Sequence, residues 1–407
     1  VRWASTISDV EDFDAAMNAA CASLSRDLDG AAPDLAIAFA SRAHQASWHR
    51  IPDALRDRFP GVIVVGCSAS GVIGDGRELE RGPGLAIAAA QLPGVELTPF
   101  AIPTDATPDP TPSGEDAGEE RACWRRAIGI DEGPDPHLLL FPDPWSWTGP
   151  KLLTSLDRAF PSGVKIGGLS SGGARPGENR LFCDRSTHQR GLVGLAMRGN
   201  LEVETVVAQG CRPVGSPMFV TRGRGNIIDE LDGRPAFELL RQLFDGLSPE
   251  DRKRARTSLF IGISMHPTSE VHDQGDFLVR NLVGIDPNTG AIAIGADLKG
   301  RSVVQFHVRD AQTSANELHE LLTEHAGHRG QNPAHAALLF SCLGRGESLY
   351  GHLDHDSDAL REHLSPQTGD LPIAGFFCNG EIGPIGGRTF MHGYTSAIVL
   401  VRPAVVI

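Results

Sequence analysis

The chain of 407 residues lacks any apolar run close to the roughly 18–20 residues that cross a bilayer. It also lacks a basic excess. The formal net charge is -14, which argues against nucleic acid and anionic membrane as partners, because both need a basic footprint. The run Arg252-Lys253-Arg254-Arg256 is a local exception that reads as a solvated helix end or loop. No CxxC occurs among the seven cysteines (Cys21, Cys67, Cys123, Cys183, Cys211, Cys342 and Cys378). Their odd number and wide spacing speak against a disulfide frame or a zinc knuckle and fit reduced thiols. The first residues, VRWASTISDVEDFDAA, have no hydrophobic core of a signal peptide, so the expected location is the cytoplasm. There is no P-loop, no HExxH and no GxSxG frame around Gly66-Cys67-Ser68-Ala69-Ser70-Gly71. The histidines His319, His325 and His328, and then His352, His355 and His363, match no standard metal spacing and read as solvated helix and loop residues.

What is present is a globular composition, 41% hydrophobic and 22% charged, in a length that suits two or three domains. One pattern recurs. DLAIAFAS, IPDALRDRFP, GVIVVGCSASGVI and GLAIAAAQL form the first copy; HLLLFPD, LLTSLDRAFP, GVKIGGLSSGG and GLVGLAMRG the second; AALLFSC, DALREHLSP, LPIAGFFCNGEIG and SAIVLVRP the third. Each reads as strand, helix, strand, small-residue turn, strand, and each helix stops at a proline: Pro60, Pro161 or Pro366. Residues 257–322 read as a divergent fourth copy. The expected fold is α/β, with α+β as the alternative: duplicated strand-helix-strand-strand units forming layered mixed sheets covered by helices. An acidic, proline-rich loop is expected near 103–120. The composition changes again between Gly223 and Leu231, ahead of a fresh helix, which suggests a domain boundary.

The densest polar stretch is Cys378-Asn379-Gly380-Glu381 with His392, at the end of an apolar strand. A thiol, an amide, a carboxylate and an imidazole on one glycine-rich turn suit a site on a rigid support. The turns at Gly66 and Gly167 look like its equivalents, with Cys67 as the counterpart of Cys378. Copy logic puts Cys342-Leu343-Gly344-Arg345 on the neighbouring strand end. Arg345 and Arg212 are then candidates to grip an anion, with structural ion pairs as the competing reading. Arg280 and Arg309-Asp310 read as a buried charged pair or as further ligand contacts. Asn379 and Glu381 would bond a polar or amino group.

These motifs closely resemble the FIST family. The resemblance is carried by VVGCSASGVIG, QGCRPVG, NIIDELDGRPAFELL, FLVRNLVGID, FHVRDA, FSCLGRG and GFFCNGEIG with FMHGYT, from about residue 34 to 402. It implies a FIST N-terminal domain over 34–228 and a C-terminal domain over 229–407, after an N-terminal helical extension over 1–33. It also implies a bacterial sensory protein, not an enzyme, that binds small ligands such as amino acids; the residues read above suggest Arg212, Arg280, Arg309, Cys342, Arg345, Asn379, Glu381 and His392 as the contacts. No metal or cofactor is expected, and the output would pass to a separate signalling protein such as a kinase or cyclase. Three alternatives stand beside this reading: a haem-based nitric-oxide sensor, a cysteine-dependent enzyme using Cys342 or Cys378 with His392, and a protein-interaction adaptor.

Overall fold

A computed structural model describes residues 1–404 except 107, 109–116, 148, 270–273, 299–301, 329–331 and 367–368. The centre of the expected acidic loop lies outside the described residues. The chain divides into two compact units. One holds Val1–Ala208, Leu318–Met391 and Thr395–Ile407, the other Gln209–Glu317 and His392–Tyr394. The third copy lies in the same unit as the first two.

In chain order the first copy comprises β1 (Arg2–Ser8), α1 (Phe13–Asp27), β2 (Leu35–Ser41), α2 (Ile51–Arg58), β3 (Ile63–Ala69), β4 (Gly71–Gly74), β5 (Arg77–Leu79) and β6 (Leu85–Gln91). The expected helical extension therefore begins with a strand, which pairs antiparallel with β6 from Arg2–Gln91 to Ser8–Leu85. The helix that follows is set by Asp12, whose carboxylate accepts from the Ala15 amide. An apolar stripe of Phe13, Ala16, Met17, Ala20 and Leu24 then faces the sheet. The second copy runs β7 (Val95–Ile102), α3 (Ala117–Ile128), β8 (His137–Pro142), α4 (Pro150–Ala159), β9 (Lys165–Gly168), β10 (Leu181–Cys183), β11 (Ser186–His188) and β12 (Leu192–Gly199).

β13 (Glu202–Gln209) opens the third copy, and the chain then builds the other unit. That unit has β14 (Cys211–Arg224), β15 (Ile227–Leu231), β16 (Arg234–Pro235), α5 (Ala236–Gly246), α6 (Pro249–Ala255), β17 (Leu259–Ser264), β18 (Phe277–Asp286), β19 (Ala291–Ile294) and β20 (Val303–Arg309). The third copy resumes with α7 (Ala311–His328), β21 (Ala336–Cys342), α8 (Glu347–Tyr350), α9 (His355–Leu364), β22 (Ile373–Cys378), β23 (Glu381–Ile385), β24 (Arg388–His392) and β25 (Thr395–Arg402). As expected, α2, α4 and α9 each end one or two residues before Pro60, Pro161 and Pro366.

The three-copy unit has three sheets of one design: β1-β6-β2-β3-β10-β11, β7-β12-β8-β9-β23-β24 and β13-β25-β21-β22-β4-β5. At the centre of each lies one parallel pair: β2–β3, β8–β9 or β21–β22. The two strands at one end of every sheet come from a different copy. The β4–β5 hairpin joins the third sheet, β10–β11 the first and β23–β24 the second, a closed cycle of exchange. One face of each sheet meets a shared inner core. There Phe39, Phe141 and Phe340, from equivalent positions of β2, β8 and β21, lie with ring centroids 5.6–6.5 Å apart. Such aromatic pairs contribute about 0.5–1.5 kcal/mol each beyond their burial. The outer faces are covered by α1 and α2, by α3 and α4, and by α7 and α9.

Backbone packing fixes the equivalence of the second strands. A Cβ on Gly66, Gly167 or Gly375 would stand 2.0, 1.9 or 1.8 Å from the carbonyl oxygen of Ala38, Leu140 or Leu339 on the neighbouring parallel strand. Aligned on those glycines, Cys67 corresponds to Gly168 and Phe376. Cys378 corresponds to Ala69 and Ser170, so Cys67 is not its counterpart.

The second unit is not a fourth copy. Its strands β14, β20, β17, β18, β19 and β15 are all antiparallel, and β15 pairs back onto β14, so the ladder closes. Val214, Ile261, Ile292, Val304, Phe306 and Val308 pack inside with residues of α5. No described helix is long and apolar enough to cross a membrane.

Candidate functional site

β21 and β22 are parallel neighbours whose last residues, Cys342 and Cys378, are register partners. Their following turns are joined by the Leu343 amide donating to the Cys378 carbonyl at 3.1 Å. The sequence expectation that these two turns stand side by side is met, and four candidates gather here: Cys342, Arg345, Asn379 and Glu381.

Arg345 is wholly buried. Its Nε and Nη2 donate to the two oxygens of Asp356 at 2.9 and 3.0 Å, a fork-on-fork pair. Asp356, in the first turn of α9, also accepts from Ser341 Oγ at 3.2 Å and Ser396 Oγ at 2.9 Å, and lies 2.9 Å from His355 Nδ1. Burial alone would raise its carboxyl. Arg345 and His355 outweigh burial and hold it well below the usual carboxylate range. The expected grip of Arg345 on an anion is thus taken up by an internal carboxylate. Tyr350 stacks on the ring of His355 and lies 5.5 Å from the guanidinium.

Glu381 is equally buried and accepts from the Thr395 amide at 3.1 Å and hydroxyl at 2.7 Å. Burial pushes its carboxyl up to about 7. Cys378 donates to the Ser341 carbonyl at 3.3 Å. Burial, with Glu381 beside it, pushes its thiol well above the ordinary range. A thiol held protonated is a poor nucleophile, so the geometry opposes a cysteine-dependent enzyme built on Cys378. Glu78, from the exchanged strand β5, is buried too, accepts from the Ser357 amide at 2.8 Å and is raised chiefly by burial. Asn379 is exposed, its amide reaching the Ser170 carbonyl at 3.3 Å, and Cys342 is half-buried.

The other four candidates belong to the second unit. Arg212 and Arg280 share the inner, helix-covered face of the barrel, each opposite an apolar residue, Val308 or Ile261. Arg212 pairs with Asp251 of α6 at 2.5 Å. Arg309 is on the opposite face, opposite Cys211, and lies 5.3 Å from the ring of Tyr394. Strand alternation therefore separates Arg280 from Arg309. Asp310 pairs with Arg254 at 3.4 Å. His392 is buried.

Sequence reading missed Asp356, His355, Tyr350 and Glu78. Asp356 lies among acids that look like ordinary helix-start charges, and its arginine is eleven positions away. His355 is buried, contrary to the solvated reading. A second buried seam was also missed. Ser68 Oγ lies 3.1 Å from Ser170 Oγ and accepts from the Arg180 amide, and Asn179 donates to Asp143, which Ser146 also bonds.

An uncharacterized protein of Mycobacterium tuberculosis (strain ATCC 25618 / H37Rv) is 36% identical over 394 residues, which is 97% of this chain and 98% of that protein. Another, of Mycobacterium bovis (strain ATCC BAA-935 / AF2122/97), is 37% identical over 374 residues, 92% of each chain. Among solved structures, a cyanuric acid hydrolase from A. caulinodans is matched over 99% of this chain and all of that one, at 10% identity and a TM-score of 0.34, a likeness too slight to bear on activity. The FIST N domain model matches residues 34–234 and the FIST C domain model residues 236–384. The chain belongs to the FIST family, whose domains are sensory, small-ligand-binding domains of signal-transduction proteins.

Proposed function

We propose that this chain is a cytoplasmic sensory protein that receives an amino acid or a related small anionic metabolite at the ends of β21 and β22. It passes the signal to a separate protein such as a kinase or cyclase. The supporting observation is that one strand end of three equivalents gathers a buried guanidinium–carboxylate pair and a carboxyl held near 7. Ionisable groups perturbed by burial and by specific partners concentrate at functional sites. In this reading Asn379 and Cys342 face the ligand, Glu381 answers its amino group from behind, and Arg345 positions the turn through Asp356. The test is a thermal-shift screen of the full chain with amino acids and small carboxylates, followed by calorimetry. A ligand at one hundred times its Kd stabilises by about 2.7 kcal/mol. Asn379→Ala is expected to abolish that shift with little change in the ligand-free melting temperature, since the side chain is exposed. A screen with no stabiliser, or a shift that survives Asn379→Ala combined with Cys342→Ala, refutes the reading.

A further inference from the structure

The two histidine groups that looked unrelated in the sequence meet in the fold. His319 stands on α7, and Glu362 and His363 stand in the last turn of α9. His319 Nδ1 lies 2.8 Å from His363 Nε2 and 4.0 Å from Glu362 Oε2, and the three donor atoms all lie within 4.8 Å of one another. From this geometry we propose that His319, Glu362 and His363 form a binding site for a divalent ion of the zinc class, one that clips α7 to α9.

Three further features support the site. First, the tautomer of His363 suits a ligand. Thr323 Oγ1 donates to the His319 carbonyl at 2.7 Å, so its lone pairs face His363 Nδ1 at 3.4 Å. That arrangement keeps the proton on Nδ1 and the Nε2 lone pair towards His319, as outer partners of metal-bound imidazoles do. Second, the spacing fits. With metal–nitrogen bonds of about 2.0–2.1 Å in a tetrahedron, two nitrogens stand about 3.3 Å apart. The present 2.8 Å is about 0.5 Å short of that separation, so the two rings would move slightly apart on binding. Third, access is open, because the side chains of His319 and Glu362 are 40% and 69% exposed. Two imidazoles and one carboxylate select zinc, cobalt, nickel or copper over calcium and magnesium, which take oxygen donors. Three protein ligands leave a coordination position to water. The His355 ring, edge-on to His319 at 6.3 Å, connects the clip to Asp356.

The test uses the full chain stripped of metal. Calorimetric titration with Zn²⁺ is expected to give one equivalent. Co²⁺ is expected to give tetrahedral visible bands without a thiolate charge-transfer band, which separates this site from the cysteines. His319→Ala and His363→Ala are expected to abolish binding while keeping the wild-type circular dichroism spectrum. Thr323→Val is expected to weaken it about 10–100-fold. If a histidine variant fails to fold, Glu362→Gln, at an exposed position, carries the test through a weakened affinity. Absence of stoichiometric binding, a thiolate band, or affinity unchanged in His319→Ala and His363→Ala each overturn the proposal.

Discussion

The strand ends of the first two copies and that of the third occupy equivalent places, fixed by the same glycine against the same kind of carbonyl. They are furnished differently. Between the first and second copies, Ser68, Ser170, Asn179 and Asp143 are joined by hydroxyls and an amide. At the third, Arg345, Asp356 and Glu381 bury formal charge or its potential. The first arrangement cross-links neighbouring sheets at the modest net gain of a hydrogen bond, about 0.5–1.5 kcal/mol each. The second is high-stakes, because each buried ionisable group depends on its partner. Repetition supplied the frame three times, and the guanidinium–carboxylate pair and the raised carboxyl stand at one of the three places.

That contrast is most severely tested at Asp356. Asp356→Ala leaves Arg345 buried without its fork, and an expected loss of about 3–5 kcal/mol in urea denaturation follows. A loss under 1 kcal/mol would mean that water reaches the guanidinium. Next is pH. Glu381 is held at about 7 against an ordinary 4.5, so the folded state keeps its proton longer than the unfolded chain. Its contribution is full below pH 4.5 and is lost as pH rises through 7, on the order of 3 kcal/mol. Glu381→Gln removes that slope. Relative to wild type, the variant is expected to gain melting temperature from pH 5 to about pH 7 and to level off by pH 8, and a parallel profile would defeat the assignment. Asp356 has the opposite sign, with stability lost as pH falls below the usual carboxylate range. The smallest effect belongs to the serine hydroxyl of the other seam. Ser68→Ala strands the Arg180 amide and is expected to cost about 1–2 kcal/mol at every pH between 5 and 8, checked by the same denaturation series.

Local order was legible in the chain. The strand-helix-strand units, the helices stopped by Pro60, Pro161 and Pro366, and the adjacency of the Cys342 and Cys378 turns follow from apolar runs and punctuation. Pairing partners were not. Nothing local in GVIG or LFC says that β4 joins β22 or that β10 joins β3. Aligning CSASG with CNGEIG on their cysteines misplaced the register, because the carbonyl that excludes a Cβ at Gly375 belongs to another strand. The barrel passed for a fourth copy because apolar strands look alike whether their neighbours are parallel or antiparallel. In the site, Cys342, Asn379 and Glu381 could be found as polar residues breaking an apolar run. Asp356 and the His319–His363 contact could not, since their partners are set by helix packing across 11 and 44 positions.

The cyclic exchange of hairpins sets the order in which this protein can be made. Gly74 pairs with Ala374, about 300 residues later. At roughly 5–20 residues per second, a ribosome needs about 15–60 s to deliver that partner. Throughout this interval the first copy's hairpin has no sheet to join, and for the first part of it, until Leu181–Cys183 emerges, β3 also has an open edge of the kind that templates wrong pairings. The first sheet has all its strands once Ser186–His188 is made, whereas the second and third both wait for strands of the last copy, β23–β24 and β21–β22.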